Sequence, residues 1–135
     1  MGFMDLFRPK WKHSDPKIRT QTVEQLTDQN VLAKIAINDS DWNIRKLAVE
    51  KVTDQNVLVE VAKKDSNSDI QLIAVKKLTD QNALADVAKN HSNMKVRLEV
   101  VKNLTDQDAL AYIAINDSDW NIRKLAVEKV TDQNV

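Results

Sequence analysis

The chain has 135 residues, enough for one ordinary domain or a short array of repeats. Its 20 acids balance 20 lysines and arginines, which excludes a protein built chiefly to neutralise phosphates and argues against a nucleic-acid partner. With no cysteine, disulfides, thiolate chemistry and cysteine-ligated metals are excluded as well.

One glycine and two prolines are too few for the tight turns of a β-rich fold. Alanine, leucine, lysine and glutamate, which helices prefer, are plentiful. No apolar run approaches the roughly 20 residues of a membrane span, so stable membrane insertion is not expected. The opening MGFMDLF lacks the apolar region and cleavage site of a signal peptide. A reducing cytoplasm is the expected location.

The chain is organised by a period of 26 residues. Residues 35–57 return letter for letter as residues 113–135, an offset of three periods, with looser copies between. The signal TDQN or TDQD places threonine at Thr27, Thr53, Thr79, Thr105 and Thr131. Thirteen residues after the first four stand Ser40, Ser66, Ser92 and Ser118, with Ser14 in register ahead of them. Both types make good N-caps, because a side-chain oxygen accepts from an orphan amide of the first turn. Each repeat therefore has two helix starts. Residues 1–26 read as a degenerate capping repeat. The repeats 27–52, 53–78, 79–104 and 105–130 follow, then the start of a fifth at 131–135.

In the first 26 residues, SDPKIRTQTVEQL matches the second helix of the later repeats, with Pro16 in the first turn, where its missing amide is not needed. Ahead of it, Phe3, Met4, Leu6, Phe7 and Trp11 resemble no other first helix and read as a cap packing on the first repeat. The sharper alternative is an interfacial anchor, since FRPKWKH mixes aromatics with cations.

From Thr27 on, the first helix of the repeat is expected at 28–37. Its apolar positions Leu32, Ile35 and Ala36 follow the i, i+3, i+4 spacing of one buried face. The copies are Leu58, Val61, Ala62; Leu84, Val87, Ala88; and Leu110, Ile113, Ala114. The second helix is expected at 41–52, burying Ile44, Ala48, Val49 and Val52. Its copies supply Ile70, Ala74, Val75, Leu78 and Val96, Val100, Val101, Leu104. Helices of about ten residues are marginal alone, so stability must come from stacking on neighbouring repeats.

The stretch NDSDWNIRKLAVEKV, with an acid and a cap, then Ile-Arg, an alanine and a closing aliphatic, resembles the second helix of HEAT-type repeats. The likeness covers residues 14–130 and implies an all-α, right-handed α-solenoid of short helical pairs. The period of 26 residues is shorter than the usual HEAT period of about 40. TDQNVLAKIA is also similar to the leucine-rich repeat variant, whose short element can be 3₁₀, so the form of the first helix stays open. The iron–sulfur cluster seen with that variant does not carry over, because no cysteine is present.

His13 and His91 share one column, three repeats apart, which stacked layers put on the order of 30 Å from each other. They cannot share a metal, and a loop or capping role is expected, since the column otherwise holds Asp39, Asp65 and Asp117. Arg45 recurs as Arg19, Arg97 and Arg123, with Gln71 as the exception. The HEAT resemblance implies that this arginine meets an acid near a neighbouring turn, with Asp39 and Asp41 and their equivalents as candidates. Trp42 and Trp120 are expected to be partly buried on the adjacent layer. Acids such as Asp41 and Glu50 recur at repeat spacing, as caps and solvated faces do. A catalytic carboxylate pair should be unique, so no enzyme, no cofactor and no metal site is expected.

In HEAT-like solenoids the second helix lines the concave side, opposite its core stripe. There the middle repeats carry Leu72, Ile73 and Leu98, with Met94 in the first turn and Lys76 and Lys102 beside them. Apolar patches with polar rims mark partner sites. These residues are the expected contact for a protein segment on a non-enzymatic scaffold, with the alternative that tight curvature hides them between helices. The alternatives are a HEAT-like enzyme or accessory, of the DNA-alkylation glycosylase or bilin-lyase kind, and a purely self-assembling module. Self-association is also expected, giving a homo-oligomer through Val127 and Val130, because repeat four copies a repeat whose far side is covered by another layer.

Overall fold

The computed structural model describes residues 2–130, Phe3 by its backbone alone. The start of a fifth repeat, with Thr131, lies outside the described residues. Among the described residues every regular element is helical. Two 3₁₀ turns, Phe3–Leu6 and Lys10–Lys12, precede α1 (Pro16–Gln25). Four helical pairs follow: α2 (Gln29–Asn38) and α3 (Trp42–Lys51), α4 (Gln55–Lys64) and α5 (Ser68–Lys77), α6 (Gln81–Asn90) and α7 (Met94–Asn103), α8 (Gln107–Asn116) and α9 (Trp120–Lys129). The first helix of every repeat is α-helical, so the 3₁₀ alternative applies only ahead of α1.

The helices start one residue later than the threonine and serine signals imply. The caps are Asp28, Asp54, Asp80 and Asp106 for the first helices, and Asp15, Asp41, Asn67, Asn93 and Asp119 for the second. Asp28 accepts from the N–H groups of Asn30 and Val31, and Asp54 from Asn56 and Val57. A carboxylate at the cap also meets the positive end of the helix dipole.

The chain divides into two compact units, Met1–Ala74 and Val75–Val135. In the first, α1 packs on the Lys10–Lys12 turn and on α3, α2 packs on α3, and α2 packs on α4. In the second, α6 packs on α7, α8 on α9, α7 on α9 and α6 on α8. Within each unit, first helices lie on first helices and second on second, with the core between the two rows. The expected columns fill it: Leu32, Ile35, Ala36, Ile44, Ala48 and Val49 are buried, as are Leu84, Val87, Ala88, Val96, Val100 and Val101. Each fully buried Leu, Ile or Val contributes about 1.5–3 kcal/mol relative to exposure. Ala114 is only half-buried, unlike Ala36, Ala62 and Ala88.

Side chains bind successive pairs. Lys51 reaches back to the carbonyls of Val23 and Glu24, and Lys129 repeats this on Val101 and Lys102. These carbonyls lie at the C-terminal ends of α1 and α7, where a cation offsets orphan acceptors. Burial pulls the Lys129 ammonium below the usual lysine range. Gln29 accepts from the Thr53 amide and donates to the Lys51 carbonyl; Gln81 does the same for Thr105 and Asn103.

Candidate interaction surfaces

The repeated arginine is a structural rung. Arg19 Nε meets Asp39, Arg45 meets Asp65 and Arg97 meets Asp117, each at 3.0 Å. The same guanidiniums donate to the carbonyls of His13, Asp39 and His91 in the turn before their own helix. Of the two acids considered, the Asp39 type makes the rung, and Asp41 is a cap. Among the described residues Arg123 donates to the Asp117 carbonyl at 2.6 Å.

The histidines do the turn work of the aspartates in their column. His13 Nδ1 accepts from the Asp15 amide and His91 Nδ1 from the Asn93 amide, as Asp39 and Asp117 accept from Asp41 and Asp119. His13 has a further neighbour that sequence reasoning missed. Asp5 is buried and accepts from the amides of Gly2 and Ser14 and, at 2.6 Å, from Ser14 Oγ. His13 Nε2 lies 3.8 Å from Asp5 and has no hydrogen-bond partner among the described residues. The Ser14 hydroxyl is the main cause holding Asp5 down to about 2, with the Ser14 amide next. Ser14 donates to Asp5 and not to the imidazole, so the trio fixes a turn and is no nucleophile arrangement. Nine residues separate Asp5 from Ser14, and no local pattern announces the pair.

The expected partner residues fall in both units. On α5, Leu72 and Ile73 are half-buried and Lys76 is exposed. On α7, Met94, Leu98 and Lys102 recur every fourth position and share one face. Met94 and Lys102 are exposed there and Leu98 is half-buried. Lys102 lies 3.8 Å from Glu99. Trp42 and Trp120 are 46 % and 62 % exposed in the first turn of their helices, so each is partly covered. Val127 is 59 % exposed, whereas Val49, the same residue in the identical stretch, is 0 % exposed. Val130 is half-buried.

Among the described residues no group of three or more His, Asp or Glu could hold a metal ion, and no helix is long and apolar enough to cross a membrane. Fold and surfaces together define an all-helical protein of tandem helical pairs. Compared with known proteins, the chain matches no protein-family model, no curated protein and no solved structure.

Proposed function

We propose that the chain is a non-enzymatic scaffold of the HEAT-like kind, holding a protein segment against its second helices. The observation that carries this reading is the stripe Met94, Leu98, Lys102 on α7. It leaves Met94 and Lys102 exposed and Leu98 half-buried on a side of α7 turned away from the core residues Val96 and Val100, with buried Val101 at its edge. Leu72, Ile73 and Lys76 give α5 a similar face. Apolar surface flanked by cations suits an amphipathic or extended segment with acidic flanks. The recurring acids support the same reading, because Asp39 is engaged by Arg19 and Asp41 caps a helix. Neither stands ready for general acid–base work. The right-handed solenoid and the cytoplasmic location belong to this proposal.

A displayed library of linear peptides tests it. Leu72→Glu and Leu98→Glu, with helical circular dichroism intact, should each weaken the selected peptides about tenfold or more, as burying a charge in an apolar contact does. Undiminished binding places the partner elsewhere, and unfolding shows that these leucines belong to the core.

A second reading, self-association through Val127 and Val130, is favoured by the different exposure of Val127 and Val49. The surface that stays open around Val127 is, residue for residue, one that the chain covers around Val49.

A further inference from the structure

The segment ahead of α1 reverses the usual order of burial. Asp5 and His13 are inside, while Met4, Leu6 and Phe7 are 57 %, 64 % and 73 % exposed. The cause is local. Asp5 is held inward by the Gly2 and Ser14 bonds, and in so short a 3₁₀ turn its neighbours must point elsewhere. The expected packing of these apolar residues on the first repeat therefore fails for Met4, Leu6 and Phe7.

Cations adjoin them directly. Arg8 follows Phe7, with Lys10 and Lys12 close behind. Arg8 and Lys12 line a cleft of about 340 Å³ together with Trp11 and with Lys34, which comes from α2. The acid in its wall, Asp39, is already taken by Arg19. Arg8 Nη1 also lies 3.6 Å from Asp5, yet with Lys10, Lys12 and Lys34 alongside, this corner is locally positive in a chain of zero net charge.

We propose that this corner docks reversibly on an anionic lipid bilayer. Met4, Leu6 and Phe7 enter the boundary between headgroups and acyl chains, and Arg8, Lys12 and Lys34 face the lipid phosphates and carboxylates. Charge complementarity selects the occupant. A free anion would use the cations and leave three apolar side chains in water, whereas a lipid surface satisfies both. Trp11, half-buried beside the cations with Lys12 over its ring at 4.9 Å, suits the interfacial zone. The docking is peripheral and independent of the second-helix surfaces.

Co-sedimentation of the full chain with vesicles tests it. Phosphatidylcholine vesicles containing phosphatidylserine should bind the chain, pure phosphatidylcholine should bind it far less, and added salt should release it. Leu6→Ser/Phe7→Ser should lower the bound fraction constant by about tenfold or more, because it removes the inserted surface. Lys34→Glu, distant in sequence, should lower it several-fold, which a floppy basic segment alone would not show. All these side chains are exposed, and unchanged helical circular dichroism verifies the fold of each variant. Equal binding to both vesicle types overturns the proposal. So does an unaffected Leu6→Ser/Phe7→Ser variant, or full competition by inorganic phosphate at constant ionic strength, which would mean a free-anion site.

Discussion

Single residues carry the turns of this chain, and their chemistry is specific. Asp54 satisfies two amides of α4, at 2.8 and 3.3 Å, whereas the Thr53 hydroxyl donates to Gln29 Oε1 at 3.4 Å. Asp54→Ala should therefore cost about 0.5–2 kcal/mol in urea unfolding, and Thr53→Ala clearly less. Equal losses would return the cap to threonine. Asp5 makes a second prediction, on pH. Its folded pKa of about 2 lies below the ordinary 3.8. A depressed carboxylate stabilises the fold above the unfolded value, and that stabilisation is lost as pH falls from 3.8 toward 2. The melting temperatures of the wild type and Asp5→Asn should differ at pH 5 and converge through this window. Ser14→Ala should move the convergence to higher pH, because the hydroxyl is the largest cause of the shift.

At the scale of the element, the rung between arginine and aspartate ties helix to turn. Arg97 and Asp117 are 11 % and 4 % exposed, so removing the carboxylate strands a largely dry guanidinium. Asp117→Ala should cost about 3 kcal/mol. The sequence offers its own replacement. In the sequence, the position in the arginine column that holds Gln71 is followed twenty residues on by His91 rather than aspartate. His91 also keeps the turn bond through Nδ1. Arg97→Gln/Asp117→His should thus be less destabilised than the sum of its two single changes. A double-mutant cycle by denaturant unfolding measures the coupling, and strict additivity would show that the rung is two independent contacts.

For the whole molecule, the prediction concerns mass. An open Val127 beside a half-buried Val130 should draw a second copy, and light scattering at micromolar concentration should report more than a monomer. Val127→Lys/Val130→Lys should restore the monomer mass. A two-fold contact would stop at a dimer, while a head-to-tail contact would grow with concentration. A monomer mass that persists, unchanged by the lysines, rules out self-association through these valines.

The sequence by itself determined the helical pairs, their period and the core columns. That information is local, because a stripe at i, i+3 and i+4 between polar caps specifies both a helix and its buried face. It also showed the arginine as a column, and the HEAT resemblance implied that this arginine meets an acid. It missed by one residue where the helices begin, because threonine, serine, aspartate and asparagine all suit a cap. The backbone dihedrals of Asp28 and its equivalents decide which one serves. Only the tertiary structure decided what neighbours control. Asp5 joins Ser14 across nine residues, and by turning inward it leaves Met4, Leu6 and Phe7 in the open. Val49 and Val127 stand in identical stretches, yet one is buried and the other exposed. Burial depends on neighbours outside the stretch and not on the residue, so no reading of the 23 shared letters could tell them apart.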